Sequence, residues 1–160
     1  MNQIAAEARI GAGTLYRRYR NKSELCMDLL KDSKALLLGD IAVSLKANEA
    51  QQASEKLRGL LSLFIRFKEN YAQLIAGMES SASQTESHRR IPSPLYLEFH
   101  ELLTGLFEEM AADNSQSRAD SLFRADMLMT ALSSDSYLFQ RNVRGLSSEA
   151  VLDQLCRTFI

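Results

Sequence analysis

Residues 3–25 read QIAAEARIGAGTLYRRYRNKSEL, and the rest of the chain is best interpreted outward from this stretch. Ile4, Ala5 and Ala8 fall on one face of a short helix at the spacing a buried stripe requires. Arg9-Ile10-Gly11 is too brief for a linker but long enough for a tight turn, after which Thr14, Leu15, Tyr16 and Tyr19 fit a second short helix. Two short helices joined by such a turn describe a helix-turn-helix. The small Ala5 suits that arrangement, because the helices approach closely beside the turn; Ile10 and Leu15 are expected to plug the space between them.

The second helix is the one such a motif lays in a DNA major groove, its N-terminal residues against base edges. Ala12 and Gly13 are small enough to bring that backbone close to the duplex. Thr14 can hydrogen-bond to a base or phosphate, and its methyl can meet a thymine methyl. Tyr16 offers a hydroxyl to phosphate, while Arg17, Arg18 and Lys22 supply charge for the sugar-phosphate backbone. Lys22 also stands just before the next helix, whose free N–H groups favour an anion.

The charge total argues the other way at first. Nineteen Lys and Arg against 20 Asp and Glu leave a formal net charge of −1, far from the strongly basic balance of many nucleic-acid binders. The distribution is uneven, however. Residues 1–34 hold seven basic and four acidic side chains, a surplus of +3, so the remainder carries −4. From Arg9 through Lys22 there are five basic residues and no acidic one. Such asymmetry points to a nucleic acid or another anionic surface.

Beyond the motif, periodicity predicts helix almost throughout. Asn21-Lys22-Ser23-Glu24 forms an N-cap region, with Ser23 as the capping residue, opening a long helix through Leu25, Leu29, Leu36, Leu37, Ile41 and Leu45 to about Ala47-Asn48. A helix from about Gln52 to Lys68 carries Leu57, Leu60, Leu61, Phe64 and Ile65. After an expected break at Glu69-Asn70, Tyr71, Leu74, Ile75 and Met78 continue the same face. Residues 80–90 are polar and aperiodic, a linker closed by Pro92 and Pro94, the latter suited to the first turn of the next helix. That helix bears Leu95, Phe99, Leu102, Leu103, Leu106, Phe107 and Met110. After Asp113-Asn114-Ser115, another is predicted from about Ser117 to Arg141, with Gly145 as its stop. Ser147-Ser148-Glu149 begins a last helix with Val151, Leu152, Leu155 and Phe159. Strand-like alternation is scarce, so the fold class is all-α.

The 160 residues, 46% hydrophobic with only 7 Gly and 2 Pro, can bury a real core and are not a disordered chain. Cys26 and Cys156 follow no metal spacing and are expected to be reduced thiols. No signal peptide precedes the motif, and no aliphatic cluster approaches the ~20 residues of a membrane span, so a soluble cytoplasmic protein with no membrane partner is expected.

The segments Ile4-Ala5-Ala6-Glu7-Ala8, Gly13-Thr14-Leu15-Tyr16-Arg17-Arg18-Tyr19 and Asn21-Lys22-Ser23-Glu24-Leu25 together resemble the signature of the TetR family of bacterial transcriptional regulators. The match covers about 25 residues and joins a helix-turn-helix to a G-T-L-Y…K-x-E-L tail. Two departures stand out. The turn position usually held by glycine in that family is Arg9 here, and a positive φ there costs a non-glycine residue about 1 kcal/mol. The family also has a helix before the motif that packs across both of its helices, whereas Met1 lies inside the motif. The expectation is a coding start further upstream; the alternative is a dimeric helical ligand- or partner-binding protein that has lost DNA binding.

The resemblance implies an N-terminally incomplete DNA-binding domain over residues 1–39, including the start of the connecting helix, and a ligand-binding and dimerisation domain over 40–160. Phe64, Phe67, Tyr71, Ile75, Met78, Phe99, Leu103, Phe107 and Met127 are candidates to line an apolar pocket between helices, which suits a small apolar or aromatic ligand. The last two long helices, around Leu122–Phe139 and Val151–Phe159, are the expected homodimer interface. A two-fold dimer would read a palindromic operator and act as a ligand-released repressor.

An enzyme is the main competing class. His100-Glu101 begins like a zinc-protease motif, but Thr104 stands where the second histidine must be. His88 and His100 are expected to be structural or solvated, and Glu98, Glu101, Glu108 and Glu109 to scatter over the surface. Gly11 and Gly13 lack the context of a phosphate loop, and the six methionines are expected to fill core gaps. No catalytic residue, metal site or cofactor is expected.

Overall fold

Side-chain oxygens start several of the helices. Asn21 accepts a hydrogen bond from the Glu24 N–H at 2.9 Å and opens α3 (Lys22–Ala47), so the cap is Asn21 rather than Ser23. Ser117 and Asp120 form a reciprocal capping box at the start of α6 (Arg118–Ala131), and Ser147 caps α8 (Ser148–Phe159) through the Ala150 N–H. The computed structural model describes residues 1–79, 94–111 and 117–160, apart from the side chains of 73, 75–79 and 94. Ahead of α3 lie α1 (Asn2–Glu7) and α2 (Ala12–Arg18); after it come α4 (Ala53–Glu79) and α5 (Pro94–Ala111). Between α6 and α8 run α7 (Ser134–Leu138) and a π-helical segment, Phe139–Val143. There is no strand among the described residues, and the fold is all-α.

Two predicted boundaries need correction. The break at Glu69-Asn70 is absent, and α4 runs unbroken for 27 residues. The apolar stripe Phe64, Phe67, Tyr71, Leu74 continues in phase across it, and Glu69 is held by α7 and the π segment instead of capping anything. The helix expected from Ser117 to Arg141 is instead interrupted at Leu132-Ser133. There the Ser133 side chain accepts from the Ser136 N–H and starts α7 anew. The wider winding that follows lets Tyr137 face inward while Arg141 reaches Glu69. Gly145, at φ +69°, ends this run as expected. Pro94 opens α5; the linker residues 80–90, Pro92, His88 and the break at 113–115 lie outside the described residues.

Helix α4 is the axis of the larger part: α3, α5, α7 and α8 all pack against it, and α6 lies on α5. Leu30, Leu57, Leu61, Phe99, Leu103, Phe107 and Leu128 are completely or almost completely removed from solvent. Each such side chain contributes roughly 1.5–3 kcal/mol of burial free energy. Polar ties pin the periphery. Buried Lys68 donates to the Ser134 hydroxyl at 2.9 Å and lies over the Phe64 ring. Arg141 makes a two-pronged pair with Glu69, and Tyr137 donates to the same carboxylate at 2.9 Å. This arginine holds the Glu69 carboxyl below its ordinary range, and burial pushes the Tyr137 phenol well up. Cys26 and Cys156 are buried free thiols.

Candidate nucleic-acid interface

Helices α1 and α2 are short, and a small cluster of their own holds them. Ala5, Leu15 and Leu25 are its buried centre, with Met1, Ile4, Ala12 and Tyr19 packed around them. Leu25 belongs to α3, so the two short helices are docked onto the beginning of a long one. Ile10 is 44% exposed and does not plug the interface; Leu15 alone fills that position from the turn side.

The turn itself has a defined geometry. The Ile10 N–H donates to the Ala5 carbonyl at 3.0 Å and the Arg9 N–H to the Ala6 carbonyl at 3.1 Å. These are the two bonds of a Schellman motif, which closes a helix through a left-handed residue. That residue is Arg9, at φ +56°, and it is the only non-glycine residue with positive φ among those described. Gly11 then caps α2 in an extended conformation, its carbonyl accepting from the Thr14 N–H at 2.9 Å.

With Leu15 and Tyr19 turned inward, helical geometry turns Gly13, Tyr16 and Arg17 outward, with Thr14 on the flank. All four are exposed, as is Lys22, and a Cβ placed on Gly13 would meet nothing within 4 Å. Ala12 is half-buried in the α1–α2 cluster. Tyr16, Arg17 and Lys22 have no ion-pair or side-chain hydrogen-bond partner among the described residues. Their polar ends are open to a ligand.

Arg18 differs. Its guanidinium lies 3.6 Å from Asp28 of α3 and over the Tyr19 ring, although the side chain is still 74% exposed. Asp28 also accepts a 2.5 Å hydrogen bond from the Tyr19 hydroxyl, which raises the tyrosine's pKa above its ordinary value. The Arg20 N–H donates to Glu24 at 2.6 Å, closing the joint between α2 and α3. Asp28 and Glu24 therefore fix α2 to α3. From the sequence alone they are only acidic residues offsetting a basic patch. A weak signal lay in Glu24, three residues after a capping Asn.

The other candidate residues divide. Phe64, Phe67, Tyr71, Phe99, Leu103 and Phe107 all join the main core cluster, with Phe64 and Phe99 stacked at 4.4 Å and Phe67 against Tyr71 at 5.0 Å. The Tyr71 hydroxyl accepts from Ser33 of α3 at 2.9 Å. Ile75 and Met78 lie on α4, but their side chains fall outside the described residues. Met127 is 42% exposed on α6 and does not face that cluster, a correction to its place among the pocket candidates.

The carboxylates beside His100 are tied up separately. His100 contacts Asp126 at 2.9 Å, Glu108 pairs with Arg118 and Glu109 with Lys56. No group of three His, Cys, Asp or Glu able to hold a metal occurs among the described residues. No helix among them is long and apolar enough to cross a membrane.

Along its whole length the chain is similar to HTH-type transcriptional regulators of Staphylococcus aureus. It is 28% identical to one from strain MRSA252 over 160 residues, covering all of this chain and 80% of that protein. It is 26% identical, with the same coverage, to others from strains USA300 and NCTC 8325 / PS 47. No family model matches it.

Proposed function

We propose that this protein is a DNA-binding transcriptional regulator of the TetR type, acting as a homodimer on a palindromic operator and released by a small ligand. One observation carries the reading. Leu15 is locked against Ala5 and Leu25, so α2 is held at a fixed angle on α3 while Gly13, Thr14, Tyr16, Arg17 and Lys22 face solvent. An outward helix end with small residues, a hydroxyl pair and unpaired cations suits base edges flanked by phosphates. The similarity to proteins named HTH-type transcriptional regulators supports it.

Residues 1–39 are the reader in this proposal, and 40–160 the effector and dimerisation domain. Large apolar side chains left exposed on α6 and the π segment, Phe123 at 63%, Met127 at 42%, Phe139 at 46% and Val143 at 69%, support pairing of the C-terminal helices with a second copy. A ligand that prefers one spacing of the two readers over the other would release the operator by shifting the population of dimer states.

A salt-titrated shift assay on DNA flanking the gene tests the reading. With Arg18 held by Asp28, Arg17 and Lys22 on each of two readers predict a slope of log affinity against log salt of about −4. Flat salt dependence, or no shift at all, would leave a dimeric ligand- or partner-binding protein instead.

A further inference from the structure

Glycine and arginine have exchanged places in the α1–α2 turn, as far as the backbone alone is concerned. The left-handed residue is Arg9, at φ +56°, whereas Gly11 sits at φ −65° and Gly13 inside α2, conformations open to any residue. Space does not demand these glycines either. A Cβ on Gly11 would meet only the Thr14 hydroxyl, at 3.6 Å, and one on Gly13 nothing within 4 Å.

The Arg9 side chain does nothing for the fold that would offset the strain. It is exposed, and no hydrogen bond, ion pair or ring contact holds its guanidinium among the described residues. Glu7, the nearest acid in the sequence, is exposed and pairs with no cation among them. Elsewhere the chain employs its arginines internally: Arg18, Arg58, Arg66, Arg118 and Arg141 each pair with a carboxylate. A strained residue whose side chain the fold leaves idle points to a partner outside the chain.

Its position says which partner. Arg9 stands three residues before Ala12, so its Cα lies within about 11 Å of the first residue of α2. That end of α2 carries Gly13 and Thr14, which face base edges in the regulator reading. A major groove about 12 Å wide has a sugar-phosphate backbone along either side. An arginine set off from α2 by that distance meets the flanking backbone rather than the bases, and its planar fork matches two phosphate oxygens. No acidic side chain from Arg9 through Lys22 opposes such an approach.

We propose that Arg9 is a phosphate anchor: the turn keeps a strained arginine because its guanidinium grips a DNA phosphate beside the first turn of α2. This rests on the regulator reading. It makes position 9 a place where folding and DNA binding favour different residues, glycine for the first and arginine for the second.

Shift titrations of the full chain across a range of salt, on DNA flanking the gene and on an unrelated duplex of equal length, test the contact. Arg9→Gly and Arg9→Gln should each lower affinity for both duplexes about five- to thirtyfold, as expected for two exposed charge contacts in a dimer. Their slope of log affinity against log salt should be shallower than the parent's by about 1.8, one phosphate per reader. The ratio between the duplexes should hold within about twofold, since a phosphate carries no sequence information. Arg9→Lys keeps a charge there and should restore most of the slope. Lys46→Gln removes an exposed charge about 36 Å along α3 from Lys22 and should leave the slope as in the parent.

A purely structural arginine gives a different pattern. Relief of the strain in Arg9→Gly would then raise amide protection in the turn and DNA affinity together, whereas the anchor requires protection to rise while affinity falls. Unchanged or higher affinity in Arg9→Gly overturns the proposal, as does an equal slope change in Lys46→Gln. So does a collapse of the ratio between the duplexes, which would make Arg9 a base contact. A parent that shifts neither duplex refutes the regulator reading and the anchor with it; a parent that shifts DNA with the same slope as Arg9→Gly refutes the anchor alone.

Discussion

Replacing Arg9 by glycine should make the α1–α2 unit more stable, an unusual direction for a substitution outside the core. Arg9 sits at φ +56°, where a side chain bearing Cβ costs roughly 1–2 kcal/mol relative to glycine. Glycine gives back about 0.4–1 kcal/mol through the greater freedom of the unfolded chain. The arginine side chain is exposed and has no ion-pair partner among the described residues, so little else is lost. The net gain is about 0.5–1 kcal/mol, confined to the α1–α2 unit. Amide hydrogen exchange is the suitable assay, because the Ile10 N–H, bonded to the Ala5 carbonyl at 3.0 Å, reports opening of that turn directly. Its protection should rise about two- to fivefold in Arg9→Gly. Arg9→Ala removes the same charge but keeps Cβ, and should leave protection nearly unchanged; the β-branched Arg9→Val should lower it. If alanine and glycine raise protection equally, the effect is electrostatic and the conformational reasoning is wrong.

Truncating Leu15 to Ala removes the centre of a very small cluster and should cost about 2–4 kcal/mol locally, abolishing DNA shifts while α4 and α5 keep their exchange protection. Ser121 is 1% exposed and its hydroxyl has no hydrogen-bond partner among the described residues, so Ser121→Ala should raise the denaturation midpoint by the equivalent of about 1 kcal/mol; a lower midpoint would mean an uncounted partner. Asp28→Asn should loosen the α2–α3 joint and release Arg18. The expected reading is a steeper salt dependence of DNA binding together with weaker protection of the Tyr19 amide. Glu69 has a depressed pKa in the folded chain. Its stabilising contribution is therefore present above the unfolded carboxyl's range and lost as pH falls through the folded value. In thermal melts from pH 7 down to about 3, the gap between the parent and Glu69→Gln should close with acid, and a constant gap would refute the assignment.

The all-helical class and most helix starts were readable because they depend on local chemistry: Asn or Ser caps and apolar spacing around 3.6. The strained turn was legible only through the family resemblance, which puts a position usually held by glycine at Arg9, and Arg9 takes it at φ +56°. What failed was tertiary. Glu69-Asn70 looked like a break because two polar residues interrupt an apolar run. Only the folded chain shows Arg141 and Tyr137, some 70 residues later, taking up Glu69. The interruption at Ser133 and the π segment follow from that same partnership, which no window of local sequence contains. In the α1–α2 unit, exposure of Ile10 and the tie from Tyr19 to Asp28 depend on the angle between helices. Met127 fits the periodicity of a core stripe and still faces solvent, because which face of α6 turns inward is set by α5.

Helix α3 is a single unbroken piece of 26 residues, Lys22–Ala47. At 1.5 Å per residue it spans about 39 Å. In the proposed regulator it is a lever arm between the effector domain and α2. A tilt of only about 5° about its far end displaces the near end by about 3 Å, more than the whole tolerated range of a hydrogen bond to a base edge. A rod of this length converts an angular change too small to disturb the packing at its pivot into a complete loss of register at its tip.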